Sequence, residues 1–355
     1  MTTSPAHLAR NHAPADLHRL AAATFEAAGW SASDAKETAE HLVLANLSGH
    51  DSHGIGMLPL YMNAHAEGLL LPTARLETKI NAAPFLVIDA HVALGQPAAN
   101  AATRLACKMA KAGGVAIVNL VNAHHVGRIG HYAEIAAAEG LVSMFWVNVT
   151  GRPPIVAPHG SREARWGTNP HAMGVPCGDE PLILDFATSR MAHGKARVAL
   201  NKGLPVPEGY LIDHEGKGST DPACVFDAPL GALLPFGDHK GAGIALIAEI
   251  LSAGLSNGPT MPETPRKTWI INSLFGIIID PARLSPDTES QDARTAMLAD
   301  FVRSAAPRAG TDKVRAPGDV ERETRVVRSR DGIPVDAETW RLVCEAAAGV
   351  GVQAS

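Results

Sequence analysis

The spacing of the apolar residues changes period at about residue 78, and that change limits the fold more than any other feature of the chain. Residues 14–29 place Leu17, Leu20, Ala21 and Phe25 at helical spacing and close on Gly29. Ser31 with Asp34 three residues on is a helix-start signature, and Ala39, Leu42, Val43 and Leu47 line one face of the helix that follows. A third, short helix is predicted around Leu60 to Ala66, ending near Gly68. The first 72 residues are therefore expected to form a small helical layer.

From about Thr78 strand-like runs alternate with helical ones. Phe85–Asp89 reads as a strand, residues 96–111 as a helix, 115–121 as a strand, 131–139 as a helix and 141–149 as a strand. That alternation argues for an α/β domain and, by itself, for a parallel sheet. Thr150 to Pro181 and Gly203 to Pro235 are rich in Pro and Gly and read as long connections, of the kind that usually carry function. Leu182 to Asp185 and Phe275 to Ile279 are further strands, and Gly241 to Leu255 and Ala337 to Ala348 further helices. The charged segment Asp312 to Arg330 is expected to be exposed.

Several function classes are disfavoured at once. A net charge of −5 with both signs spread along the chain gives no footprint for nucleic acid and no cationic helix for a membrane. The four cysteines form no C-x-x-C pair, which fits a reducing compartment and suggests neither a zinc knuckle nor a disulfide framework. The segment Met1 to His7 has no apolar run of the secretory kind, and the apolar run Gly243 to Leu255 is interrupted by Glu249. A cytoplasmic protein acting on a small molecule, or pairing with another copy of itself, is the expectation.

Within that frame His50, Asp51, Ser52 and His53 occupy four consecutive positions at the end of a predicted helix, followed by Gly54 and Gly56. An imidazole with a neighbouring hydroxyl proposes a general acid/base; a polar helix end whose side chains satisfy loose backbone groups is the plain alternative. The loop Asn122 to Gly130 lies between a strand and a helix. Its glycines, its N–H groups and Arg128 suit a diphosphate, although they equally suit an ordinary strand-to-helix turn. The dinucleotide fingerprint G-x-G-x-x-G is absent there, and the only comparable string, Gly349 to Ala354, opens no strand–helix unit. Thr168 and Asn169 in Gly167-Thr-Asn-Pro170, and His239 and Lys240 at a helix start, are polar points that also serve as turn residues or solvated charges.

Taken in order, these strings resemble the malate/L-lactate dehydrogenase family, which is distinct from the Rossmann-type lactate and malate dehydrogenases. The strings are Gly49-His-Asp-Ser-His-Gly54, His124-His-Val-Gly-Arg-Ile-Gly130, Gly167-Thr-Asn-Pro170, Leu184-Asp-Phe-Ala-Thr-Ser189, Gly194-Lys-Ala-Arg-Val-Ala199, His239-Lys-Gly241 and Pro317-Gly-Asp319. They cover nearly the whole chain. The resemblance implies a non-Rossmann α/β fold with a mostly antiparallel central sheet flanked by helices. Residues 1–75 would form a helical N-terminal domain joined by 310–355, and residues 76–309 the cofactor-binding domain with the substrate-site segments. It implies a homodimeric, NAD(P)-dependent 2-hydroxycarboxylate dehydrogenase, with NAD as cofactor and NADP possible.

The same resemblance assigns roles. His53 is the proton donor and acceptor beside the nicotinamide, and Ser52 orients or relays for it. His125, Gly127, Arg128, Ile129, Leu184, Asp185, Thr188, Ser189, His239, Lys240, Asn272, Pro317, Gly318 and Asp319 form the cofactor cradle, and Asn169 bridges cofactor and substrate. Two positions depart from the pattern. Many relatives carry a carboxylate-gripping arginine four residues after the histidine, where this chain has Met57, so Arg128, Arg190 and Lys195 become the candidates and Met57 a lining residue for a bulkier side chain. Imine-reducing relatives place an aspartate near Lys195; lysine there favours oxo acids over the alternative of a cyclic imino-acid reductase. A metal enzyme using His50, Asp51 and His53, with His124 or His125, and a non-catalytic nucleotide-binding protein are the readings from other classes; no resident metal is expected.

Overall fold

The computed structural model describes residues 9–353 except 202, 264–268 and 286; the Met1 to His7 segment and Ala354 lie outside the described residues. A strand β1 (Arg10–His12) leads into helices α1 (Pro14–Ala27), α2 (Ala32–Leu47) and α3 (Leu58–Ala66). The α2 start is capped as its sequence requires: Ser31 Oγ accepts from Asp34 N at 3.1 Å and donates to the Asp34 carboxylate at 2.8 Å. Strands β2 (Glu77–Ala82) and β3 (Phe85–Asp89), helix α4 (Gly95–Gly113), strand β4 (Val115–His124), helix α5 (Gly130–Ala138) and strand β5 (Val142–Thr150) follow.

The chain continues through β6 (His171–Val175), β7 (Leu182–Phe186), α6 (His193–Asn201) and the short strands β8 (Leu211–Ile212), β9 (Gly218–Ser219) and β10 (Ala232–Leu233). Then come α7 (His239–Ser252), β11 (Ile271–Ile279), α8 (Thr288–Arg303), α9 (Asp319–Asp331), β12 (Ile333–Val335) and α10 (Ala337–Ala348).

The main sheet has the order β2-β3-β4-β11-β5-β6-β7, and only the β3–β4 pair is parallel. The parallel-sheet expectation drawn from alternation alone is thus corrected, and the reason is visible. β4 and β5, joined through α5, do run the same way, but β11 is inserted between them and pairs antiparallel with both. Alternate residues of β5 point to opposite faces. Phe145 packs edge-on against Tyr132 of α5, while the Asn148 amide on the other parity reaches Glu249 of α7.

A continuous apolar cluster fills the space between the sheet, α4 and α5, from Leu86 and Ile88 through Ala102 and Val118 to Leu274. A second one joins Leu17, Phe25, Leu42, Leu58 and Tyr61 of the N-terminal helices to Val343 and Ala347 of α10. A smaller third, with Val156, Ala196, Val206, Leu211, Val225 and Leu233, sits under the 151–236 connections. The segment expected to be a charged, exposed stretch is largely helix α9. Its sequence is polar all round, so no apolar stripe announces it, and charged side chains hold it to α2 and α5.

Candidate active site

The His50–His53 run sits where α2 stops. Ser48 and Gly49 end the helix, Gly49 with φ +84°, and Asp51–His53 form a tight turn. Asn46, buried, clamps that turn: its Nδ2 donates to Asp51 at 2.6 Å and its Oδ1 accepts from Ile55 N at 2.7 Å. A side chain at Gly54 would collide with the Asn46 amide, so the clamp requires glycine there. Helix α9 supplies the outer support. Arg328 grips the Asp51 carboxylate with two nitrogens, at 2.6 and 3.0 Å, and Glu321 lies 3.2 Å from His50 Nε2. His50, Asp51 and His53 therefore turn to three different partners, which corrects the reading of them as one metal set. Among the described residues, no group of three His, Cys, Asp or Glu is placed to hold a metal ion.

Ser52 Oγ lies 3.0 Å from His53 Nδ1, which leaves Nε2 as the atom free for proton exchange. The His53 ring stacks on that of His125 at 5.4 Å and 21°. Burial, with the nearby His50 and Arg128 adding, pushes the His53 pKa down to about 4. His125 is fixed by its neighbours in turn. Gln96 Nε2 donates to Tyr61 Oη at 2.6 Å, so the one phenolic proton is left for His125 Nδ1, also at 2.6 Å. That arrangement makes His125 the tautomer with its proton on Nε2. Burial foremost, and then His53, His124 and Arg152, hold its pKa well below the ordinary value, so it stays neutral.

The loop from His124 to Gly130 is held from three sides. Val126 N donates to Asn272 Oδ1, Arg128 N to His41 Nε2 and Gly130 N to Asp185, each at 2.9 Å. The N–H groups of Gly127 and Ile129 have no such partner among the described residues. Gly127 has φ +74°, and a side chain there would strike the His41 ring. Arg128 is folded beneath the loop, its side chain 1% exposed and paired with Glu134 at 2.5 Å. Its Nε and Nη1 are buried with no partner. Two open N–H groups above surplus guanidinium donors are the donor set of an anion site, and they fit the diphosphate of a nicotinamide dinucleotide.

The other candidate residues divide. Thr188 and Ser189 follow β7; Thr188 Oγ1 donates to Thr168 O at 2.7 Å and Ser189 Oγ to Met191 O at 2.7 Å. Leu184 is 39% exposed, and His239 and Lys240 are exposed at the α7 start. Pro317 and Gly318, the latter with φ +93°, dock on β7 through Ile183 N to Pro317 O at 3.3 Å. Asp319 is engaged by Arg303, Arg322 and Ala316 N, and the Arg303 contacts foremost hold its pKa down at about 2.

Several of the candidate side chains are engaged within the protein. Asn272 uses its amide on Val126, Asn148 and Ile271, and Asn169 on Val149 N, Ala245 O and Glu249, so both support the frame. Arg190 donates to Asp238, Gly209 O and Pro235 O, so its charge is already paired and three of its five N–H groups are engaged. Met57 packs on the helical cluster, and Lys195 is exposed with no polar partner among the described residues. Residues not singled out as candidates also reach the site. Gly194 at the start of α6 lies against Ser52, where a Cβ would come within 2.6 Å of Ser52 Cβ. His193 and Arg197 lie on that same helix, and Arg152 is near enough for its charge to act on His193 and His125. A lone arginine just past a strand end, in an irregular stretch, was the available signal for Arg152.

The family model described as malate/L-lactate dehydrogenase matches residues 13–344. Hydroxycarboxylate dehydrogenase B of Escherichia coli (strain K12) is 42% identical over 341 residues, 95% of this chain and 93% of that one. Among solved structures, sulfolactate dehydrogenase from Methanocaldococcus jannaschii superposes with a TM-score of 0.86 at 32% identity, covering 97% of this chain and 98% of the other. The delta1-piperideine-2-carboxylate reductase of Pseudomonas syringae pv. tomato gives 0.79 at 30% identity, covering 95% and 99%. With motifs, sheet order and full-length similarity in agreement, this chain belongs to the malate/L-lactate dehydrogenase family.

Proposed function

We propose that the protein is an NAD(P)-dependent dehydrogenase interconverting 2-oxo and 2-hydroxy acids, with His53 as the proton donor and acceptor. The observation that carries the reading is the Ser52–His53–His125 arrangement: an imidazole held by a hydroxyl at Nδ1 and stacked on a second, neutral imidazole. A bound nicotinamide would exchange the hydride with C2 of the substrate. Gly127 and Ile129 N–H, with Arg128 behind them, would hold its diphosphate, and Leu184, Thr188, Ser189, His239, Lys240 and the Pro317-Gly318-Asp319 turn would line the rest. NAD is taken first on the family resemblance, with NADP as the alternative.

The chain's own task is the proton at the C2 oxygen. With its pKa near 4, His53 in the free protein is a neutral base, ready to take the hydroxyl proton of a 2-hydroxy acid. An anionic substrate beside it raises that pKa, so the same ring gains the proton it returns to an oxo acid. His125 presents its Nε2–H as a neutral donor toward the same oxygen. No carboxylate hydrogen-bonds Ser52 or His53 among the described residues, which favours oxo acids over the cyclic imines that remain the alternative.

The division into residues 1–75 with 310–355 and residues 76–309 is supported by the two large apolar clusters. A homodimer is supported by apolar side chains left open on α7 and α8, among them Ile247, Met297, Leu298 and Phe301, the last 76% exposed. Among the described residues no helix is long and apolar enough to cross a membrane; a cytoplasmic location is part of the reading. The test is loss of reduced-nicotinamide absorbance on mixing the protein with NADH or NADPH and pyruvate, oxaloacetate, phenylpyruvate, hydroxyphenylpyruvate or a cyclic imine in turn. Turnover of an oxo acid is the expected result, and oxidation with the imine alone would replace this reading by the other.

A further inference from the structure

The family resemblance implies an arginine where this chain has Met57, so the substrate carboxylate needs another grip; Arg190 is already paired with Asp238, and Lys195 is exposed. The sheet register points to another arginine. His124, Ile271 and Thr150 stand side by side at one end of β4, β11 and β5, so Arg152, two residues past Thr150, leaves the sheet at the same end as His125, one residue past His124, with β11 between their strands. From the other side, α6 packs its Gly194 on Ser52, and Arg197 lies one turn further along the same helix. Arg197 sits over the Phe226 ring at 3.6 Å, with the His193 ring 4.6 Å from the same ring.

Arg152 and Arg197 form no ion pair among the described residues, in contrast to Arg128, Arg190, Arg325 and Arg328. Burial foremost depresses the rings of His125 and His193, and the charge of Arg152 adds to both; burial and then Arg197 lower the pKa of Arg152 itself. Two guanidiniums near two neutral imidazoles, Arg152 half-buried and Arg197 exposed, with no ion-pair partner for either among the described residues, make a site that favours an anion.

We infer that Arg152 anchors the carboxylate of the 2-oxo or 2-hydroxy acid in this chain, with Arg197 as the second cation on the α6 side. The inference rests on the dehydrogenase reading above and deepens it. Arg152 takes the role that an arginine at position 57 would otherwise fill, and it does so from the sheet end and not from the helical layer. A forked guanidinium suits a carboxylate in a way an ammonium does not.

The experiment compares wild type with Arg152→Ala and Arg152→Lys, using the best oxo acid of the panel, its neutral amide, and oxamate as a non-reacting probe, with NADH binding followed by fluorescence. Arg152→Ala should raise KM for the acid on the order of 10- to 100-fold, weaken oxamate in parallel and abolish the preference for acid over amide. NADH affinity should stay within about twofold, and Arg152→Lys should fall between wild type and Ala. An active wild type whose Arg152→Ala variant keeps both KM and the acid-to-amide ratio overturns the anchor and leaves the dehydrogenase reading intact. A wild type that neither turns over an oxo acid nor binds oxamate overturns both. If Arg152→Ala fails to bind NADH, Arg152→Lys decides: wild-type KM there makes Arg152 a scaffold residue and ends the proposal, whereas a raised KM with normal NADH binding sustains it.

Discussion

On the side of His53 proposed to hold the cofactor, side chains from three distant segments hold alternate N–H groups of the 124–130 loop, and the buried Arg128 is paired. On the α6 side the frame is mainly a small apolar cluster, and Arg152 and Arg197 have no counter-ion among the described residues. The first side is ordered before anything binds. The second keeps unneutralised charge, so a ligand carboxylate gains most there. The contrast suits a site that meets an invariant dinucleotide on one side and a variable acid on the other.

The sharpest way to break this comparison is His53→Ala, because His53 belongs to both sides. Turnover should fall on the order of 10²- to 10⁴-fold while NADH affinity stays near normal. Full activity in that variant, measured by steady-state kinetics beside a binding titration, would remove the acid/base assignment. Next in size is Arg128→Ala. NADH should bind on the order of 10-fold more weakly, and its affinity should become less sensitive to added salt, with KM for the oxo acid little changed. Unchanged NADH affinity would move the diphosphate away from this loop; an equal rise in the oxo-acid KM would show that the two sides are not separate.

Acid tests the dryness of both sides at once. The imidazoles of His53 and His193 are pushed down to about 4, that of His124 to about 3, and those of His41 and His125 well below the ordinary value, burial being the first cause in each. The folded state thus binds fewer protons than the unfolded chain between roughly pH 6.5 and 4, and stability is lost as pH falls through that window. Each such histidine contributes on the order of 1.4 kcal/mol per pH unit, so urea midpoints should drop clearly from pH 7 to pH 5. Equal midpoints would mean that water reaches these rings.

Much of the fold was legible where burial follows a single period. α1, α2, α4, β4 and α10 show their stripes, and the Ser31 cap forms as read. β6 lay hidden in a Pro- and Gly-rich stretch, and α9 has no apolar face to read. Strand direction was hidden because β11, some 120 residues downstream of β5, enters between β4 and β5, and local alternation carries no trace of that. The His53 turn and the loop could be found from residue types, since chemistry of that kind is concentrated in short strings. Asn272, Asn169 and Arg190 could not be sorted: a string shows which polar groups are present and not which are already engaged.

The smallest expected effect concerns that engaged class. Arg328 reaches from α9 to Asp51 and to the Asn46 carbonyl, but its side chain is 17% exposed and that of Asp51 48%. Screening at such exposure limits the pair to about 1 kcal/mol, so Arg328→Ala should lower the melting temperature by only a few degrees. The Asn46 amide still holds Asp51 and Ile55 in that variant, so the turn keeps its shape and kcat should fall less than about 10-fold. A fall as deep as that of His53→Ala would show that the inner clamp does not suffice. The polar helix α9 would then be part of what places the imidazole, and the ordered side of the site would extend to the C-terminal segment.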